Sequence, residues 1–155
     1  MNPKSASEDE AAHNGFNAVS LFALNEKGNE LLVQLNGIEM LLNCWNSKAK
    51  TAMLAVKTIE TALSASTPCC IQFINAGGLK KLSQTINDPK TLTSKKICSS
   101  VIGILDALLT MLPLPSSNKP TLSVDGSPDP DGKYFKKVIK LFKKADEKKV
   151  DVKKT

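Results

Sequence analysis

Four cysteines, a single histidine and 21 lysines without one arginine are the side chains of this 155-residue chain whose chemistry can be tested first. The cysteines are Cys44, Cys69, Cys70 and Cys98, two of them adjacent, and no pair has the two-to-four-residue spacing of a zinc site. A nucleophile, histidine and acid arrangement would have to use His13, which sits in a polar leader expected to be mobile. Gly77-Gly78 is followed by Leu79-Lys80-Lys81-Leu82, so the Gly-Lys-Ser/Thr order of a phosphate loop is missing. The expectation is a protein that is not an enzyme, holds no cofactor or metal, and keeps its thiols buried in a reducing compartment.

The lysines are unevenly placed. Residues 133–155 hold ten of them against Asp146, Glu147 and Asp151, a net +7, while the remaining 132 residues sum to −1. The overall charge of +6 therefore belongs to the C-terminal tail. Without arginine there is no planar fork for phosphate, carboxylate or guanine, and AT-rich codon usage is the simplest source of the bias. Met1 to Asn14 is polar and acidic, unlike a secretory signal, and the apolar runs break well before about 18 residues. The expected location is intracellular, cytoplasmic and/or nuclear.

The elements that carry these side chains are helical. Aromatic content of 5% leaves an aliphatic core, which suits interlocking helices better than a sandwich or barrel. Gln34-Leu35-Asn36-Gly37-Ile38-Glu39-Met40-Leu41-Leu42 and Asn75-Ala76-Gly77-Gly78-Leu79-Lys80-Lys81-Leu82 are two copies of one corner, with Gly37 and Gly78 41 residues apart. Glycine there admits positive φ at a helix end and lets the next helix start at once. A period of about 40 to 47 residues is that of helical solenoids.

In chain order, residues 1–15 read as a flexible leader with a short helix, its capping box formed by Ser7 and Glu10 and its end at Gly15. A half repeat, 16–28, places Val19, Phe22 and Ala23 on one face. Repeats over 29–66 and 67–112 follow, the second opened by Thr67 as N-cap with Pro68 at the first helical position. Each closes with a longer third helix: Met53, Val56, Ile59, Ala62 and Leu63 in one, Ile97, Val101, Ile102, Leu105, Leu108 and Leu109 in the other. Setting Ile59 on Val101 and Leu63 on Leu105 gives an offset of 42, one more than at the glycines, which implies a one-residue loop insertion. Trp45 matches Ile86 and is expected in the core. A linker over 113–131 is rich in Pro, Ser, Asp and Gly, a basic amphipathic helix covers 132–150, and 151–155 is a fraying tail.

The two copies resemble the armadillo consensus, in which a polar turn leads to a short helix, glycine, and an apolar helix ending in paired leucines. Over Glu30 to Leu42 the chain is also similar to beta-catenin-like spliceosome-associated proteins and, comparably, to formin-type armadillo domains; these dozen residues do not choose between them. The resemblance implies an all-α, short right-handed α-solenoid with a C-terminal capping helix. It also implies a non-catalytic adaptor that takes a protein or peptide surface in a groove lined by its third helices. The groove positions are then Lys57, Glu60, Thr61, Ser64, Gly103, Asp106 and Thr110. The consensus asparagine that holds an extended peptide maps to Ser20, Thr61 and Ala107, so that ladder is not expected. The helix with Lys136, Lys137, Lys140, Lys143 and Lys144 either caps the last repeat with its apolar stripe or binds an anionic membrane or nucleic acid.

Overall fold

The computed structural model describes residues 6–46, 49–89, 94–112 and 132–140, with backbone only at 6–9 and 49. The expected linker 113–131, residues 141–150 of the expected C-terminal helix with Lys143 and Lys144, and the tail 151–155 lie outside the described residues, as does the side chain of Ser7 in the expected capping box. The described residues form helices and turns, with no strand among them. Seven helices are α1 (Ala6–Phe22), α2 (Glu26–Gln34), α3 (Gly37–Trp45), α4 (Ala49–Ala65), α5 (Thr67–Asn75), α6 (Gly78–Ile86) and α7 (Lys95–Met111). Residues 133–140 are helical as well.

The three long helices pack in series, α1 on α4 and α4 on α7, while α2 lies on α5 and α3 on α4. Two three-helix repeats, α2–α4 and α5–α7, thus stack behind a lone third helix, and the fold is an all-α solenoid. The expected break at Gly15 is absent. α1 runs through it, because Ala11, Ala12 and Ala18 favour helix and a side chain at Gly15 would meet open space.

Each repeat begins with a side-chain cap, and these caps sit 41 residues apart. Asn25 Oδ1 accepts the Gly28 N–H at 2.7 Å, and Ser66 Oγ accepts the Cys69 N–H at 3.4 Å. The second cap is therefore Ser66 and not Thr67. The Thr67 hydroxyl donates instead to Met111 O at 3.1 Å, tying the start of α5 to the end of α7.

The glycine corners divide two duties. Positive φ falls on Asn36 (53°) in the first copy and on Gly77 (85°) in the second, so the left-handed residue precedes the shared glycine. Gly37 and Gly78 are buried, and they admit close packing: a Cβ on Gly78 would overlap the buried Phe73 ring, and one on Gly37 would overlap Leu32. A third close approach lies at Gly28, where a Cβ would run into the carbonyl of Phe22 at the end of α1.

Gln72 of the second repeat reaches into the first. Its Nε2 donates to Val33 O at 2.8 Å and to Asn36 Oδ1 at 3.3 Å, while its Oε1 accepts the Ile38 N–H at 3.3 Å. One buried amide thus adds a donor to the Val33 carbonyl at the end of α2, which also accepts the Asn36 N–H, and supplies an acceptor to the Ile38 N–H in the first turn of α3, which has none within its own helix.

The register of the third helices differs from the expected 42. Ala55, Val56, Ile59, Ala62 and Leu63 are buried in α4, and Ser100, Val101, Ile104, Ala107 and Leu108 are buried in α7, a uniform offset of 45. Leu105, the expected partner of Leu63, is only half-buried. The cause is the length of the connection: three residues separate α3 from α4, whereas eight separate α6 from α7. Trp45 is buried as expected, and Val138 from the 133–140 helix joins the same core at 0% exposure.

These corners separate strain from overlap. Gly77→Ala, with open space around it, should cost about 1 kcal/mol from its left-handed backbone alone. Gly78→Ala should cost roughly 2 to 3 kcal/mol, because the Phe73 ring has nowhere to go. Gln72→Leu should cost about 2 kcal/mol through stranded backbone groups. Urea unfolding of the three variants checks the order, and a Gly77→Ala cost equal to that of Gly78→Ala would contradict it.

Candidate functional site

The α1–α4–α7 series offers one continuous helical surface. α1 and α4 are joined beneath it by hydroxyls: Ser20 Oγ lies 2.9 Å from Oγ1 of the buried Thr58, which donates to Leu54 O at 3.0 Å within its own helix. On α4, Lys57, Glu60, Thr61 and Ser64 follow one another at helical spacing as a single stripe. Lys57 Nζ and Glu60 Oε2 pair at 2.9 Å, with Lys57 largely exposed and Glu60 mostly covered. Glu60 is covered because its carboxylate lies against Gly103 of α7, where a Cβ would overlap it. Thr61 donates to Lys57 O at 3.1 Å and Ser64 to Glu60 O at 2.8 Å, so both hydroxyl protons are committed to their own helix.

Asp106 and Thr110 form a separate stripe on α7 with Ile102 and Leu109, all exposed. No hydrogen bond or ion pair joins the two stripes among the described residues. Of the expected groove residues, Lys57, Glu60 and Gly103 are therefore brought together and the others lie on flanking positions. Ala107 is buried in the core. At the observed offset of 45, the counterpart of Thr61 is Asp106.

Beside the first turns of α7 is a cleft that the sequence reading did not anticipate. It measures about 430 Å³ and is lined by Met53, Leu54 and Lys57 of α4 and by Lys95, Lys96, Ser99 and Ser100 of α7. Its signal in the sequence is Lys95-Lys96 in the first turn of a helix, where the macrodipole favours acids and where α7 has none. A wider hollow of about 790 Å³ lies between the ends of α4 and α7 and the starts of α2 and α5, with Glu26 and Glu30 in its lining.

At the C-terminal side, Lys136, Lys137 and Lys140 are exposed around a helix whose Tyr134, Phe135 and Val138 pack on the core. Asn75 Nδ2 donates to Tyr134 Oη at 3.3 Å, and the Lys137 ammonium sits 5.3 Å from the centre of the Tyr134 ring. The opposite end is apolar. Leu31, the counterpart of Gln72, is 41% exposed, and Met40, the counterpart of Lys81, is 65% exposed, with Leu21, Leu24 and Leu35 also open to solvent. Lys81 itself bonds Asn46 of the first repeat, so these positions face along the solenoid axis.

The cysteines form no disulfide. Among the described residues no His, Cys, Asp and Glu cluster could hold a metal, and no helix is long and apolar enough to cross a membrane. Cys70 donates to Leu63 O at 3.2 Å, and burial, with Cys69 beside it, pushes its thiol from an ordinary 9.0 up to about 12. Cys69 is raised by burial too, against a bond to Ser66 that lowers it. A thiol that ionises first in the unfolded chain contributes stability that is intact below about pH 9 and is lost as pH rises towards 12. Over that window Cys70→Ala should flatten the fall of unfolding free energy by up to about 1.4 kcal/mol per pH unit. Urea midpoints between pH 8 and 11 check this, and parallel slopes would refute it.

Comparison with known proteins places these features. A family described as catenin-beta-like, Arm-motif containing nuclear matches residues 1–154. The beta-catenin-like protein 1 homolog of Schizosaccharomyces pombe is 28% identical over 113 residues, covering 72% of this chain. The chain spans about 20% of that relative's length. No solved structure matches.

Proposed function

This chain belongs to the catenin-beta-like, Arm-motif containing nuclear family, and on that premise we propose that it is a non-catalytic interaction module working in the nucleus. Its ligand is a segment of another protein laid across the α1–α4–α7 surface. The observation that supports this reading is the serial packing of the third helices, with Lys57 of α4 and Asp106 and Thr110 of α7 exposed on neighbouring helices. A preformed surface of this kind needs little reordering on binding, so charge and apolar contact translate into affinity.

The alternative, a lysine tail that binds anionic membrane or nucleic acid, draws on exposed Lys136, Lys137 and Lys140. The buried Val138 and the Asn75–Tyr134 bond favour a docked helix over a free tail. Salt separates the two, because tail-driven binding falls steeply with ionic strength.

The test is site-directed photo-crosslinking in nuclei. A crosslinker at Thr110 should capture a protein that one at Gln84, on α6, does not, and the Lys57→Glu/Glu60→Lys swap should reduce the Thr110 product at least fivefold. Equal capture from both positions, or an unchanged product after the swap, would sink the ligand-face reading.

A further inference from the structure

We infer that the cleft between α4 and α7 is an anion subsite that receives the acidic side chain of a bound peptide. Four features converge there. Lys57, Lys95 and Lys96 are three of the seven residues that line its volume of about 430 Å³. Lys95 and Lys96 have no acidic partner among the described residues, while Lys57 shares its charge with Glu60. The cleft borders the start of a 17-residue helix whose N-cap, Ser94, makes no side-chain capping bond, so the first N–H groups of α7 add to the positive field. Finally, Ser100 lines the cleft at 6% exposure, and its hydroxyl has no hydrogen-bond partner among the described residues.

A buried hydroxyl left without a partner costs stability, and so do two lysines at the positive end of a helix. Both costs fall on neighbouring residues of one cleft, and one ligand offsets both: an oxyanion that accepts from the ammonium groups and from Ser99 or Ser100. Met53 and Leu54 give the same cleft an apolar wall. No aromatic or arginine lines it, which disfavours a nucleic-acid strand, whose bases need a stacking platform. The ligand chemistry is accordingly a carboxylate or phosphate carried by a peptide.

This inference rests on the α1–α4–α7 surface being the ligand face, but its test does not depend on the natural partner. The full 155-residue chain, labelled for amide NMR, is titrated with hexaglutamate, with a phosphoserine-containing peptide of the same length, and with a single-stranded oligonucleotide. Saturable shifts should centre on Lys95, Lys96, Ser99 and Ser100. The Lys95→Glu/Lys96→Glu pair, on exposed positions, should weaken binding at least tenfold. Ser100→Ala, which removes no charge, should weaken it three- to tenfold at unchanged salt dependence. Lys136→Glu/Lys137→Glu should leave it within twofold. A stronger response to the phosphoserine peptide identifies phosphate as the preferred group, and a stronger response to hexaglutamate identifies carboxylate; either supports the subsite. Shifts centred on residues 133–140, tighter binding of the oligonucleotide, or an unchanged Ser100→Ala affinity would overturn it. If the peptide binds the cleft while the Lys57/Glu60 swap leaves partner capture unchanged, the subsite stands and the ligand-face reading fails.

Discussion

The amide of Gln72 is the interaction on which the solenoid depends. A corner between two helices exposes backbone groups that neither helix can satisfy, and at the first corner these groups are buried against the next repeat. Gln72 supplies donor and acceptor together, to Val33 O, Asn36 Oδ1 and the Ile38 N–H. Its three bonds act only when α5 sits in one register on α2 and α3. Apolar contacts such as those of Ile38 and Phe73 supply the bulk of the attraction between repeats, but they tolerate sliding. The amide does not, and it converts a greasy seam into a defined one.

Much of the scaffold was readable because short-range rules and long-range packing agree in it. The 41-residue echo of Gly37 at Gly78 located both corners, and Trp45 could be put in the core from its place in the repeat. Misreadings arose where a local cue had two equivalent solutions. Ser66 and Thr67 are both good caps, and in the structure Ser66 takes the Cys69 N–H while Thr67 bonds Met111 O. Gly15 looked like a terminator, although an exposed helix with alanine neighbours absorbs a glycine at modest cost. The third-helix register failed for a different reason: a run of apolar residues at spacings of three and four can be aligned at several offsets, and the extra length between α6 and α7 is invisible to periodicity.

The distribution of lysine separates two kinds of positive charge. Those around the 133–140 helix follow the ordinary pattern of a docked amphipathic element, with Val138 inward and ammonium groups outward. Lys95 and Lys96 oppose the dipole of their own helix, and a violation of a local rule without local compensation is where function is to be sought. Composition counted all of them alike. Only the packing of α7 against α4, with Glu60 filling the space over Gly103, shows which positive charges share a concave wall.

The pairing of Leu31 with Gln72 gives the array a direction. The two repeats have the same outline but different seam chemistry, so they cannot trade places. A duplicate of α2–α4 appended after α7 would present leucine to the corner between α5 and α6, leaving the Ile74 carbonyl and the Leu79 N–H without the amide that serves their counterparts. Whole-repeat duplication, the simplest way for such a gene to lengthen, would therefore yield a faulty joint until leucine became glutamine. Each repeat in this solenoid carries, in one side chain, a record of which neighbour it follows.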